Sequence, residues 1–314
     1  MHDTMWKPVL MLGLIAALTG CAADVSDTGE SSDAITAGTP DDANEYPEVA
    51  IVAAVFPDDT WFPVCSGVLV ERDIVLTVAH CELDLPHIFQ DITGFPLPPT
   101  YEWGVVFTQS VEFANPSPAP STPFSELGAS YLGDMHSRPG YTLGYPGQRQ
   151  ADGADNNDFA AILLDERVRG IRPAILPPVG FLDRRNGRAL ERREFTMVGH
   201  GLDFVANPTG RYDGVRRIGR AGFDALDDRG TLHLNTDQAD GYTSMCYADS
   251  GGPVFYGNTH ILVAINDELH PSCFGPWNEA QRLDIPDAAA FLRPLGVHYF
   301  GDRIRRWFRS RHDD

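Results

Sequence analysis

The chain has 314 residues, 43% of them hydrophobic, with 30 Gly and 24 Pro, which is enough to bury a full core as one large all-β domain or two small ones. Its formal net charge of -20 repels a phosphate backbone, so DNA and RNA are excluded as partners. Neither a His-Glu-x-x-His helix nor a Cys-x-x-Cys pair occurs in it, so the reading carries no metal and no organic cofactor.

At the amino terminus Lys7 precedes an apolar run over 9–18, too short to span a bilayer comfortably but suited to the core of a signal peptide. Leu18-Thr19-Gly20-Cys21 resembles a bacterial lipoprotein signal, in which the cysteine is acylated and becomes the first mature residue. Residues 1–21 are therefore expected to be a signal peptide with a lipidation site at Cys21; the alternative is a plain secretory peptide cleaved near Ala23. Either way the protein is exported, as a cell-envelope lipoprotein or secreted after processing, and meets a membrane only through a lipid anchor. Residues 22–34 are small, polar and acidic without a periodic apolar face, and read as a disordered tether or propeptide. Of the five cysteines, lipidation of Cys21 leaves Cys65, Cys81, Cys246 and Cys273, which allow three connectivities.

An abrupt strand pattern begins at 46–52 and returns at 65–70 and 73–81, where β-branched and apolar residues dominate. Between 82 and 157 the pattern dissolves. Pro86, Pro96, Pro98, Pro99, Pro116, Pro118, Pro120 and Pro123 are expected to interrupt any long strand or helix, leaving short strands near 103–107 and 128–132. Periodic apolar character resumes at 157–164, 195–201, 219–223, 231–235 and 260–265, and a short helix is expected from Asp287 to 292. The end, 301–314, is a basic tail that reads as a solvated terminal helix.

Three short motifs carry chemistry. Cys246-Tyr247-Ala248-Asp249-Ser250-Gly251-Gly252-Pro253 sits between apolar runs and reads as a sharp turn presenting one hydroxyl, with backbone amides free to converge on a developing negative charge. Thr77-Val78-Ala79-His80-Cys81 ends a buried strand on a histidine. Asn157-Asp158-Phe159-Ala160-Ala161-Ile162-Leu163-Leu164 opens a strongly apolar strand with a carboxylate that is costly to bury unless it finds a partner, and His80 is the natural one.

Together these motifs resemble those of the trypsin-like (chymotrypsin-fold) serine proteases, in the family's chain order of His, Asp, Ser. The resemblance spans roughly 35–292. It implies an all-β fold of two six-stranded antiparallel Greek-key β-barrels with the active site between them and a C-terminal helix, in a protease domain at 35–300. It implies His80, Asp158 and Ser250 as the catalytic set, the backbone N–H groups of Ala248 and Ser250 as the oxyanion hole, and disulfides joining Cys65 to Cys81 and Cys246 to Cys273. Ser244 matches the base of the specificity pocket, where a neutral residue favours apolar or aromatic side chains. Ile35, in a degraded form of the family's Ile-Val-Gly-Gly segment, would pair through a freed amine with Asp249 after cutting by an activating protease. Substrates are then proteins or peptides, and the molecule is a monomer.

The chain also departs from the pattern. Ala248 replaces a glycine, Thr36 and Ala37 follow Ile35, His200 replaces a tryptophan, and Asn266-Asp267-Glu268-Leu269 stands where Ser-Trp-Gly is usual. Ala248, the degraded Ile35 segment and the absent Ser-Trp-Gly motivate the alternative expectation of a catalytically weak or inactive protease-like binding protein.

Overall fold

The computed structural model describes residue 35 and residues 38–113, 120–141, 158–185, 187–203, 211–269 and 273–302. All of them belong to the unit Ser31–Asp314. The expected signal peptide with Cys21, the tether at 22–34, residues Thr36, Ala37 and Asn157, and the tail from 303 onward lie outside the described residues. Among the described residues no helix is long and apolar enough to cross a membrane.

A first strand, β1 (Thr39–Pro40), is followed by β2 (Val49–Val55), β3 (Trp61–Glu71) and β4 (Ile74–Thr77). Two helices come next, α1 (His80–Leu83) and α2 (Leu85–Thr93), and then β5 (Glu102–Val106), β6 (Ser130–Ser137) and β7 (Ala160–Leu164). Strands β2 to β7 close into an antiparallel barrel in the order β2-β3-β4-β7-β6-β5. The sequence of β2 shows why it can lie inside such a structure. All seven residues of Val-Ala-Ile-Val-Ala-Ala-Val are buried, and the two-residue period of a strand sends them to different places. Val49, Ala50, Val52 and Ala54 join the main core, whereas Ile51, Ala53 and Val55 pack with Trp61, Val106 and Phe124 on the other face. Both faces are covered, which is why the segment is apolar throughout instead of alternating.

The second half holds α3 (Gly187–Glu191), β8 (Glu194–Gly199), the short β9 (Leu202–Asp203) and β10 (Arg211–Tyr212), then β11 (Arg217–Leu226), β12 (Thr231–Asn235), β13 (Pro253–Tyr256), β14 (Leu262–Leu269) and β15 (Trp277–Arg282). Strand β8 pairs with both β11 and β13, closing a second six-stranded antiparallel barrel in the order β8-β11-β12-β15-β14-β13. Strand β1 adds to the outside of β11, and the helix α4 (Pro286–Leu292) follows the last strand. The fold is thus the expected pair of six-stranded antiparallel barrels with a C-terminal helix.

Two local expectations need correction. Pro86 does not break helical structure; it occupies the first turn of α2, where its missing N–H has no intrahelical partner to lose, and the helix ends at Thr93, capped by Gly94 with φ 76. The strand expected near 128–132 runs instead over Ser130–Ser137, because its register is dictated by β5 on one side and β7 on the other.

The barrels are joined by polar bonds through one small residue. Ser66 on β3 accepts the His200 N–H on its hydroxyl at 2.9 Å, and that hydroxyl donates to the Ala248 carbonyl at 3.0 Å. Its own N–H donates to the Ser250 carbonyl at 2.9 Å. The loop carrying Ser250 is therefore pinned to the first barrel.

Candidate active site

Strand register brings His80 and Asp158 together. Strands β4 and β7 pair antiparallel with Thr77 opposite Ala160. The chain leaves β4 three residues before His80 and enters β7 two residues after Asp158, so both side chains emerge at the same end of the pair. The His80 N–H donates to Asp158 Oδ1 at 3.0 Å, and the ring Nδ1 lies 2.7 Å from Asp158 Oδ2. Behind them Thr77 Oγ1 donates to the Ser66 carbonyl at 2.9 Å, and a disulfide joins Cys65 of β3 to Cys81.

Asp158 is 2% exposed, and its protonation follows from its partners. Burial pushes its pKa up, but the charge and hydrogen bonds of His80, with a further bond from Asp267, hold it below the ordinary carboxylate value. Burial opposes charging of the His80 ring as well. The charge and hydrogen bond of Asp158 outweigh it and lift the ring pKa from 6.5 to about 9, with Asp267 and Asp84 adding to the field.

Asp267 and Tyr141 are parts of this site to which the sequence reading gave no role. Asp267 stands on β14, in the second barrel, with Oδ1 3.8 Å from His80 Nδ1 and a carboxylate oxygen within 4.8 Å of one on Asp158. Gln281 Nε2 on β15 donates to Asp267 Oδ2 at 2.7 Å. Burial and the neighbouring Asp158 charge push the Asp267 pKa well above the ordinary range. Tyr141 lies in the field of the same two acids, and burial with the two carboxylates pushes its phenol up. The signal for Asp267 was an acid two residues past the end of the apolar run 261–265, whereas Asp158 stands just before one.

The loop of the octapeptide is shaped by its backbone. Ala248 has φ 72 and Gly251 φ 78. A Cβ on Gly251 would meet Thr77 Oγ1 at 2.1 Å and the Ser66 carbonyl at 2.5 Å, so only glycine lets this loop lie against the strand that leads to His80. Gly251 N–H donates to the Asn266 carbonyl and Asn266 N–H to the Gly252 carbonyl, both at 2.8 Å, which seats Ser250 beside the start of the Asp267 segment. Ser250 is 7% exposed, and among the described residues no hydrogen bond joins its hydroxyl to the His80 ring. Cys246 is bonded to Cys273 behind the loop.

Asp249 points inward. It is fully buried and accepts the N–H groups of Gly201 at 2.8 Å and Cys246 at 2.9 Å, together with the backbone of Ile35. Burial lifts its pKa to about 6 against these bonds. Ile35 is itself fully buried in the core of the second barrel with Leu234, Val254 and Val263. Ser244 is buried, and its hydroxyl donates to Asn278 Oδ1 at 3.1 Å, an atom that also accepts the Met245 N–H at 3.0 Å. His200 is buried away from the reacting groups with Nε2 3.1 Å from the Thr108 carbonyl, and burial with the Arg216 charge lowers its pKa to about 3. Two surface hollows, one around Pro178, Ala289 and Tyr299 and the other around Val70, Pro173 and His298, contain none of His80, Asp158 and Ser250.

No family model and no curated protein matches the chain. Its fold is similar to solved structures. HL collagenase aligns at 16% identity over 81% of this chain and 95% of that one, with a TM-score of 0.54. An inactivated protease paralogue of the scabies mite aligns at 16% identity over 82% of this chain and 97% of that one, with a TM-score of 0.51. Identities this low speak for architecture alone, and the architecture is the two-barrel chymotrypsin fold, with His80 and Asp158 on the first barrel facing Asp267 on the second.

Proposed function

We propose that the chain is a serine endopeptidase acting on protein or peptide substrates through an acyl-enzyme. Ser250 Oγ attacks the acyl carbon, and the His80 ring takes the hydroxyl proton and delivers it to the leaving amine. Water then attacks the ester and regenerates Ser250. Asp158 holds the ring orientation and stabilises the imidazolium. The observation that carries this reading is the pair of hydrogen bonds from the backbone and ring of His80 to Asp158, beside a Ser250 loop pinned to the same barrel by Ser66. The N–H groups of Ala248 and Ser250 receive the oxyanion. The neutral, buried Ser244 favours apolar or aromatic residues before the cut bond. Cutting before Ile35 would place a free amine beside Asp249 and, with Cys21 as the lipid anchor, release the protease domain.

A second reading is favoured by one observation. Ala248 holds a left-handed backbone at the oxyanion position, which costs about 1 to 3 kcal/mol. A catalytically weak or inactive protease-like binding protein fits that departure. Fluorophosphonate labelling with mass spectrometry separates the two. The protease reading expects label on Ser250, abolished in Ser250→Ala; a purified protein beginning at Ile35 that stays unlabelled refutes it.

A further inference from the structure

The third carboxyl at the site is unexplained by a three-residue mechanism. Asp267 comes from the second barrel and brings a carboxylate oxygen within 4.8 Å of one on Asp158, from the first, with both acids beside the His80 ring. Two carboxylates offer only acceptors, so a bond between them requires a proton on one. Two buried negative charges this close would also repel strongly, and one of the two acids stays protonated. The partners decide which. Asp158 already receives the His80 N–H on one oxygen and the ring Nδ1 on the other, and both contacts favour its charged form. Among the described residues Asp267 receives one side-chain donor, Gln281, on Oδ2. Its Oδ1 lies 3.8 Å from His80 Nδ1, too far for a hydrogen bond, so it holds the ring by no bond of its own.

We propose that Asp267 is a positioning residue of the reaction centre, a protonated carboxyl that donates to Asp158 and, braced by Gln281, fixes the carboxylate that orients His80. This inference rests on the serine-protease reading of the same site. The arrangement has an electrostatic purpose. A dianion behind the ring would hold His80 as imidazolium and disable it as a base, whereas a shared proton leaves a single charge there. The titratable groups facing the pair are His80, Tyr141 and Asp84, with Gln281 as the neutral brace from β15. The trio His80, Asp158 and Asp267 also has the residue types of a metal site, and the test addresses that possibility.

The experiment compares wild type, Asp267→Asn and Asp267→Ala in the processed protein, reading the maximal rate and half-saturation of fluorophosphonate labelling of Ser250 across pH. Asp267→Asn keeps an N–H donor for Asp158 and is expected to label within about threefold of wild type at neutral pH, while Asp267→Ala loses about 10- to 100-fold in maximal rate with unchanged half-saturation. Equal losses in both variants, no loss in either, or labelling that requires zinc and disappears with a chelator would overturn the proposal. A readout independent of turnover is the infrared carbonyl band of a protonated carboxyl at neutral pH, expected in wild type and missing in Asp267→Asn. Its absence from wild type overturns the proposal even if Asp267→Ala fails to fold. A protein that never labels but shows the band overturns the protease reading and supports the shared proton.

Discussion

Asp158 holds His80 at two points, the main-chain N–H at 3.0 Å and the ring Nδ1 at 2.7 Å, so one carboxylate fixes both the position of the histidine and the tilt of its imidazole. Asp158→Asn can accept only one of these bonds with its single carbonyl oxygen, and its amide nitrogen faces a donor. We expect kcat/KM to fall by about 10,000-fold with the fold retained, measured by the fluorophosphonate labelling rate and by circular dichroism.

On the protease reading, in which His80 is the base, the same contact sets the pH dependence of labelling. The base must be neutral to act, and the Asp158 charge lifts His80 from 6.5 towards about 9. Part of that lift comes from Asp267, which contributes no charge while it is protonated. The rising limb of labelling against pH is therefore expected between 6.5 and about 9, and Asp158→Asn should move it down. A wild-type limb at or below 6.5 would show that the carboxylate field does not reach the ring.

Ala248 is a site where the chain stores backbone strain. With φ 72 it occupies a region that glycine enters freely, so Ala248→Gly should gain about 1 kcal/mol of stability after the entropy cost of an added glycine. Guanidinium unfolding measures the gain, and Ala248→Val should shift the midpoint the other way.

The Cys65–Cys81 disulfide closes 16 residues of chain next to His80. Replacing both cysteines with alanine is expected to cost about 3 kcal/mol on the chain-entropy view. Because Cys81 adjoins the base, labelling of Ser250 should slow as well; a stability loss with an unchanged labelling rate would show that the hydrogen bonds to Asp158 suffice to hold the ring.

His200 and Asp249 give stability opposite dependences on pH. His200 has a folded pKa of about 3 against 6.5, so its contribution is present above 6.5 and is lost as pH falls towards 3. Asp249 has a folded pKa of about 6 against 3.8, so its contribution is present below 3.8 and is lost as pH rises through about 6. In His200→Gln, which keeps a donor for the Thr108 carbonyl, the acid side of the stability curve should flatten by up to one proton. Unfolding midpoints between these limits read the slope.

Features that depend on local pattern are legible in the residues alone. Buried strands announce themselves as unbroken apolar runs, and His80, Asp158 and Ser250 stand out because each breaks or ends such a run with a polar group that needs a partner. The residues also show the cysteines but not their pairing, since connectivity depends on distances that spacing does not encode. The tertiary structure decided the rest. Pro86 proved to be a helix-starting residue because of its place in the first turn, and β6 took its register from its two neighbours. Above all, the meeting of Asp267 with Asp158 spans 109 residues, counted as 267 - 158, and joins two barrels. Barrel closure, with the Ser66 bonds and the Glu48–His260 and Tyr46–Phe255 contacts between barrels, brings those two carboxyls near one another, and no local pattern marks a proximity made by the packing of one whole barrel on another.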